Sequence, residues 1–200
     1  GLTGGIGSGK STVSGMLAQL GAVILNADEV GHETLKPGTE AWQEIASTFG
    51  QGVVKDNGEI DRGKLGEVVF NNPEALARLN SIMHPRMYQS MKRSIEERQR
   101  QGAEVIVLEA AILVEANWTP LVDEVWVTTS PEATVVRRLR DSKGLTKAQA
   151  LARIRSQLPP QERAKHADVI IDNDCELEEV EARVKELWRA LHARQQAGTS

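Results

Sequence analysis

The stretch Gly4-Gly5-Ile6-Gly7-Ser8-Gly9-Lys10-Ser11 decides the fold, because its glycines stand between a short β-type stub and a helical pattern. A glycine, four residues and then Gly-Lys-Ser, in a strand-to-helix context, is the pattern of a phosphate-binding loop. Glycines let successive backbone N–H groups curl around phosphate oxygens, and the helix N-terminus adds its positive dipole end. The alternative is a glycine-rich turn that caps a helix, but such a match rarely arises by chance in a chain of ordinary composition.

The residues of this loop have distinct expected roles toward a nucleoside triphosphate. Lys10 is expected to reach the β- and γ-phosphates, and the Ser11 hydroxyl is expected to ligate Mg²⁺. The predicted nucleotide-binding residues are Gly5, Ile6, Gly7, Ser8, Gly9, Lys10, Ser11 and Thr12. The sequence therefore predicts that the protein binds ATP and Mg²⁺.

Short β-type runs elsewhere in the chain predict a parallel sheet. They occupy residues 22–25, 105–108, 124–128 and 168–172, and helical patterns separate them. With the stub before Gly4 they make five strands, and the β-α alternation is typical of a parallel α/β sheet. Because the chain starts almost inside the first motif, we expect a few upstream residues that complete the first strand.

Two apolar series predict helices that pack on this sheet. Val13, Met16, Leu17 and Leu20 recur at helical spacing directly after the loop. The series Leu177, Val180, Val184, Leu187 and Leu191 predicts a longer helix near the C-terminus. The first series forms one apolar face of a helix, and the second is interpreted as core packing or helix docking, which says nothing about function.

A helical insertion is predicted between the second and third strands. Residues 31–102 contain no convincing buried strand, but they carry helical patterns around Trp42, Leu65 and Met87. The predicted core is then residues 1–30 and 103–200. Insertions of this kind often cover the carboxyl edge of the sheet, where ligands bind.

A basic segment near the third quarter of the chain is interpreted as a mobile lid, residues 137–163. Its cations are Arg137, Arg138, Arg140, Lys143, Lys147, Arg153 and Arg155, with Gly144 near the middle. Such a lid can fold over a transferring phosphoryl group and stabilise its charge, and Arg140 is the best single candidate. The alternative is a solvated basic helix with ordinary ion pairs to neighbours such as Asp141.

Two carboxylates follow predicted strands at the sheet edge. Asp28 comes after the second strand, where it can accept the proton of an attacking hydroxyl, although Asp is also a favoured helix N-cap. Glu109 ends the third strand, where an acidic residue often lies near Mg²⁺ or its waters. A cap or a surface carboxylate is the alternative for Glu109.

The composition bounds the class of protein. The 200 residues carry a formal charge of −4, are 40% apolar and include the single cysteine Cys175. No apolar run reaches the roughly 18 residues that a membrane helix needs, so a soluble cytoplasmic protein with no membrane partner is predicted. The net negative charge disfavours a nucleic-acid partner. The helix faces show no association stripe, so the oligomeric state stays open.

The chain resembles the bacterial dephospho-coenzyme A kinases, which belong to the P-loop kinase superfamily. The resemblance runs from the first residue to about Asn173. Besides the loop, it rests on Ala27-Asp28, Lys36-Pro37-Gly38, Asp61-Arg62, His84-Pro85, Leu113-Val114-Glu115, Arg140-Asp141, Ala152-Arg153-Ile154 with Gln157, and Ile171-Asp172-Asn173. The loop alone names a superfamily, whereas Asp61-Arg62, His84-Pro85 and the Ala-Arg-Ile string in this order are much narrower.

The resemblance implies a P-loop kinase-like three-layer α/β fold and ATP-dependent phosphorylation of the ribose 3′-hydroxyl of dephospho-coenzyme A. It implies that Asp28 is the base and that Asn173 lies at the adenine end of the ATP site. Lys10 of the loop and Arg140 of the lid are the other predicted catalytic residues. It makes the insertion a coenzyme A-binding domain, so that Asp61, Arg62, Leu65 and His84 would lie near the acceptor substrate. Asp28 and Glu109, which lie outside the insertion, are the other predicted substrate-binding residues.

Two departures and three alternatives qualify this interpretation. Asn26 stands where the family usually has a further Asp, and Ala111 stands where many members have Pro. His84 before Pro85 is alternatively a satisfied turn residue.

The competing functions are another small-molecule P-loop kinase acting on a nucleoside monophosphate or shikimate, a GTPase switch, and a scaffold that binds ATP without transfer. A GTPase would carry an Asn-Lys-x-Asp string that recognises guanine, and this sequence has none.

Overall fold

A computed structural model describes residues 1–70 and 72–198 and shows an α/β fold built on a parallel sheet. The strands are β1 (Leu2–Gly4), β2 (Val23–Asn26), β3 (Ile106–Glu109), β4 (Trp126–Thr129) and β5 (Val169–Asp172). Their order is β2-β3-β1-β4-β5, with parallel pairing of β1 to β3 and β4 and of β4 to β5. The order places β1 at the centre, so the segment that follows it leaves the sheet at its middle.

Helices connect the strands, as the β-α alternation predicts. They are α1 (Lys10–Gln19), α2 (Ala27–Thr34), α3 (Glu40–Phe49), α4 (Arg62–Phe70), α5 (Pro73–Arg100), α6 (Glu132–Lys143), α7 (Lys147–Arg155), α8 (Pro160–Ala164) and α9 (Leu177–Gly198). Short 3₁₀ turns occur at Gln51–Val53 and Thr119–Leu121. The predicted α/β class and the five-stranded parallel sheet are confirmed.

The main core lies between the sheet and the helices α1 and α9. Val13 and Leu17 of α1 are buried against Leu2 of β1, as the helical spacing predicts. Val180 and Val184 of α9 are buried in the same cluster. The prediction that Leu177 packs with this series is wrong. Leu177 is 57% exposed, because it is the first residue of α9 and precedes the buried positions that begin at Val180.

The basic segment forms two helices with an apolar core of their own. Gly144 ends α6 with φ 63°, a left-handed conformation that suits glycine. Thr146 then starts α7 through a capping box with Gln149. Val135, Val136, Leu139 and Ala150 are the buried residues of this small core.

The chain divides into two compact units. One comprises Gly1–Leu25 and the chain from Arg98 onward, and the other comprises Asn26–Glu97. The second unit is helical, and in it the indole Nε1 of Trp42 donates to the carbonyl of Gly58 across 2.7 Å. Within residues 1–70 and 72–198, every helix is too short or too polar to span a membrane.

Candidate active site

The predicted phosphate-binding loop lies between the end of β1 and the start of α1. Gly7 and Gly9 have φ values of 71° and 87°, which L side chains rarely adopt. A Cβ on Gly4 would stand 2.2 Å from the Thr128 hydroxyl oxygen, so glycine is needed there for close approach. Gly9 is the N-cap of α1 and has no side-chain capping bond, and the first turn of α1 holds no acidic residue. The N–H groups at this helix end therefore suit an anion.

Side chains from β4 and from the residue directly after β5 hold the loop in place. The hydroxyls of Ser8 and Thr128 are 2.7 Å apart and share a buried hydrogen bond. The Thr128 hydroxyl is 3.3 Å from the carbonyl of Thr3 and donates to it, so in this arrangement Ser8 is the donor to Thr128. Asn173, which directly follows β5, donates its side-chain amide to the carbonyl of Ser8 across 2.9 Å. These buried bonds fix the loop before any ligand binds.

A cavity of about 390 Å³ opens above the loop. The loop forms its floor, and Asn173 and the first turns of α9 form part of its wall. The lining residues are Gly5, Gly7, Ser8, Gly9, Lys10, Ser11, Thr12, Arg138, Asn173, Cys175, Leu177 and Val180. The exposed Leu177 and the exposed Cys175 give this wall an apolar part beside the polar loop. A polar floor with an apolar wall suits a ligand that carries both phosphates and a flat base.

Ser11 and Glu109 form the pair best suited to Mg²⁺. The Ser11 hydroxyl donates to Oε1 of Glu109 across 3.3 Å. Glu109 is the last residue of β3 and is 9% exposed, so the surface-carboxylate alternative is wrong. Mg²⁺ is usually bound by one or two protein oxygens together with phosphates and waters, and this pair fits that requirement. The described residues contain no group of three or more His, Cys, Asp or Glu that could hold a metal by themselves.

Arg138 is the lid arginine that contacts the loop. Its Nη1 donates to the carbonyl of Gly7 across 3.2 Å and to the Ser130 hydroxyl across 3.0 Å. Its Nη2 donates to the carbonyl of Asn173 across 2.6 Å. Arg140, the predicted candidate, lies exposed in the last turn of α6.

Asp28 lies in the first turn of α2 and is exposed. The side chain of Asn26 caps this helix by accepting the backbone N–H of Asp28 across 2.8 Å. The cap alternative for Asp28 is therefore wrong, and its carboxylate is not committed to capping. The departure from the family pattern at Asn26 therefore leaves the cap of α2 intact, because an Asn caps a helix as well as an Asp does.

Three of the predicted acceptor residues lie in or next to α4 of the helical unit, in different environments, whereas Glu109 lies at the end of β3 in the other unit. Oδ1 of Asp61 accepts the backbone N–H groups of Gly63 and Lys64, each across 3.1 Å, so Asp61 starts α4. Arg62 contacts the ring of His32 through a hydrogen bond. Leu65 is 4% exposed and belongs to the core of its unit.

His84 lies inside α5 rather than in a turn. The turn alternative is wrong, because α5 continues through Pro85 for 28 residues in all. Partial burial lowers the pKa of His84 below its ordinary value of 6.5. A neutral ring is therefore favoured at this position near neutral pH.

The comparisons with known proteins identify the family. The family model described as dephospho-CoA kinase matches residues 1–179. The chain belongs to the dephospho-CoA kinase family. It is 45% identical over 184 residues to a dephospho-CoA kinase of Carboxydothermus hydrogenoformans, covering 92% of this chain and 89% of that protein. It is 43% identical over 188 residues to one of Geobacter sulfurreducens, covering 94% and 95%.

Solved structures agree with this family assignment. A Thermus thermophilus crystal structure has a TM-score of 0.79 at 31% identity and covers 94% of this chain and 95% of that one. A dephospho-CoA kinase of Campylobacter jejuni has a TM-score of 0.71 at 26% identity and covers 94% of each chain. A shikimate kinase of Bacteroides thetaiotaomicron, at 18% identity and TM-score 0.52 over 95% of each chain, shares the fold. Dephospho-CoA kinases phosphorylate dephospho-CoA with ATP, the last step of CoA biosynthesis.

Sequence reasoning missed several residues at this dephospho-CoA kinase site. Thr128, Arg138 and Arg163 had no predicted individual role, and Gln157 entered only as part of a string. Arg163 is 2% exposed and pairs with Glu115 across 2.7 Å. The density of cations in the lid was a signal for Arg138, but nothing in the local pattern singles out Arg163.

Proposed function

We propose that this protein transfers the γ-phosphoryl group of ATP to the ribose 3′-hydroxyl of dephospho-coenzyme A, giving coenzyme A and ADP. The observation that carries the proposal is a pre-formed phosphate-binding loop in a chain that the dephospho-CoA kinase family model matches over residues 1–179. The loop leads into a helix N-terminus without a side-chain cap. A pre-ordered loop supports catalysis, because fixed donors need no reorganisation as charge develops.

The nucleotide site is proposed to follow the cavity above the loop. The backbone N–H groups of residues 5–12 would bind the phosphates, and Lys10, the first residue of α1, would reach the β- and γ-phosphates. The adenine would lie toward Asn173, where Leu177 offers an apolar surface. Asn173 therefore has two roles, since it holds the loop through its bond to the carbonyl of Ser8 and also lines the cavity.

Mg²⁺ is proposed to bind at Ser11, with Glu109 beside it. A bound Mg²⁺ supplies positive charge that neutralises the phosphate oxygens. Ser11 contributes a hydroxyl oxygen, and Glu109 accepts a hydrogen bond from it or from a water. Arg140 of the lid, residues 137–163, is proposed to add charge stabilisation.

Asp28 is proposed as the base that accepts the proton of the attacking hydroxyl. It comes two residues after β2 ends at Asn26, and the phosphate-binding loop likewise follows the end of β1. The carboxyl ends of parallel strands form the usual ligand-binding edge of an α/β sheet. Its exposed carboxylate is free of the capping role, which Asn26 takes.

The acceptor domain is proposed to be the helical insertion, residues 31–102. Arg62 supplies a cation for the phosphates of dephospho-coenzyme A, and His84 supplies a neutral donor or acceptor. Asp61 and Leu65 are proposed to shape this site by starting α4 and by packing its buried face. The cytoplasm is the proposed location, where a single cysteine is typical.

An acceptor panel tests the proposed reaction. The purified protein is incubated with Mg-ATP and, separately, with dephospho-coenzyme A, AMP, shikimate or no acceptor, while ADP release is followed and products are identified by mass. Conversion of dephospho-coenzyme A alone is expected. Transfer to AMP or shikimate instead would overturn the substrate, and ATP binding without transfer to any acceptor would favour a scaffold.

A further inference from the structure

Ile6 joins the strand-side half of the phosphate-binding loop, residues 5–7, to the lid helices in two ways. Its side chain packs against the small core of α6 and α7. Its backbone N–H donates to Oε1 of Gln157, which lies just beyond α7, across 2.8 Å. A side chain that accepts a loop N–H group restricts the conformation of the loop, because the peptide plane that carries the N–H group is held with it.

Arg163 approaches the same half of the loop from the same side. A Cβ on Gly5 would stand 3.5 Å from Oε1 of Gln157 and 3.6 Å from Nη1 of Arg163. Arg163 is 2% exposed, and its Nη2 donates to Oε1 of Glu115 across 2.7 Å. A buried cation is costly unless it is paired, so the ion pair with Glu115 keeps the guanidinium beside Gly5.

The geometry of Arg163 leaves donor capacity beside the loop. Its Nε is buried and has no hydrogen-bond partner among the described residues. Among the described residues its bond to Glu115 is monodentate, although a guanidinium carries five N–H donors. The guanidinium therefore has donor capacity beyond its ion pair with Glu115.

We propose that Gln157 and Arg163 are positioning residues for phosphoryl transfer, because they hold residues 5–7 of the loop in a single conformation. The inference rests on the proposed role of the loop in binding ATP. Gln157 acts through its hydrogen bond with Ile6, and Arg163 acts through the position of its guanidinium beside Gly5, which the ion pair with Glu115 maintains. Releasing this half of the loop lowers the rate of transfer more than the affinity for ATP, since Lys10 and the start of α1 keep their own contacts with the phosphates.

Gln157→Leu tests this inference, with Gln161→Leu as the matched control. Leu keeps most of the side-chain volume but removes the acceptor for Ile6, and Gln161 lies exposed in the neighbouring helix α8. For Gln157→Leu, loss of one hydrogen bond is expected to lower kcat about tenfold, while KM for ATP stays within about twofold. Hydrogen exchange at the Ile6 amide of the nucleotide-free protein is expected to become faster. The control leaves all three quantities unchanged.

Arg163→Lys is the second variant, because it keeps the buried charge and its attraction to Glu115 but loses the planar fork. It is expected to lower kcat several-fold, with KM for ATP nearly unchanged and the protein folded by circular dichroism. An Arg163→Lys protein with wild-type kcat would remove Arg163 from the proposal.

Two outcomes for Gln157→Leu would overturn the inference. If the variant binds ATP more tightly and hydrolyses it faster without acceptor, Gln157 obstructs the loop rather than positioning it. If kcat and Ile6 exchange both match wild type, the contact has no role. Should the wild type fail to phosphorylate dephospho-coenzyme A, the proposed function fails, but Ile6 exchange still decides whether Gln157 holds the loop.

Discussion

The side-chain amide nitrogen of Asn173 lies 1.5 Å from the point at which a Cβ atom on Gly9 would stand. Asn173 is 5% exposed and bonds to the carbonyl of Ser8, so it cannot withdraw without losing a buried hydrogen bond. Gly9 also has a φ of 87°. The clash between Asn173 and a Cβ atom, and the left-handed backbone conformation, both require glycine at this position.

Gly9→Ala is therefore expected to abolish measurable ATP binding and to lower the melting temperature. The left-handed backbone alone costs about 1–2 kcal/mol for a residue with a Cβ, and the clash with Asn173 adds to it. Calorimetric titration with a non-hydrolysable ATP analogue and thermal melts check this. Gly15→Ala is the matched control, because Gly15 lies in α1 with no atom within 4 Å of its Cβ position. ATP binding by Gly9→Ala within twofold of wild type would contradict the prediction.

Ser11→Ala is expected to raise the Mg²⁺ concentration needed for half-maximal rate. The hydroxyl is the proposed ligand, and one lost oxygen ligand weakens the site roughly tenfold. Initial rates over a Mg²⁺ titration at fixed ATP measure the effect. Ser156→Ala, at an exposed serine beyond α7, is the control. Superimposable titration curves for Ser11→Ala and wild type would remove Ser11 from the metal site.

The loop and the strands could be predicted because both depend on local signals. The glycine pattern determines the backbone between β1 and α1, and β-type runs bounded by helical patterns locate the strands. Predicted strand limits differ from the observed ones by one or two residues, as for 22–25 against Val23–Asn26. Side-chain pattern does not report where the ladder hydrogen bonds stop.

The residues that contact the loop could not be predicted, because they are distant from the loop in sequence. Thr128, Arg138 and Gln157 meet the loop across separations of 120, 131 and 151 residues. Which residues come together at such distances depends on strand order, and the sequence pattern did not determine that order. His84 shows the opposite case, in which a local signal is overridden. The His-Pro pair favours a turn locally, but helix packing continues α5 through Pro85.

Arg138→Met and Arg140→Met are expected to have different effects. Arg138→Met removes charged donors to the carbonyls of Gly7 and Asn173, so it is expected to cost about 2 kcal/mol of stability and to weaken ATP binding. Arg140 is exposed, so Arg140→Met should change stability by less than about 0.5 kcal/mol and lower kcat through lost charge stabilisation. Denaturant unfolding and steady-state kinetics separate the two. Unaltered kcat in Arg140→Met would exclude its catalytic role.

Stability is expected to fall with acidification partly through His84. Burial lowers its pKa in the folded state, so the unfolded chain binds more protons below its ordinary value of 6.5. The stability that the neutral ring supports is therefore present above that value and is lost as the pH falls through it toward the folded-state pKa. Melting temperatures between pH 7.5 and 5.5 are expected to decline less steeply for His84→Gln than for wild type. Parallel declines would show that His84 is not linked to folding.

Asp28→Asn is expected to separate proton transfer from nucleotide binding. An amide cannot accept the hydroxyl proton, so kcat should fall by about 10²–10⁴-fold, while ATP affinity stays within about twofold. The substitution leaves α2 intact, because Asn26 rather than Asp28 caps that helix. Glu29→Gln is the matched control, since it neutralises the adjacent exposed carboxylate in the same helical turn. Turnover of dephospho-coenzyme A by Asp28→Asn at the wild-type rate would show that Asp28 is not the base. Loss of activity in both variants would indicate that the negative charge at the N-terminus of α2, rather than Asp28 itself, supports the reaction.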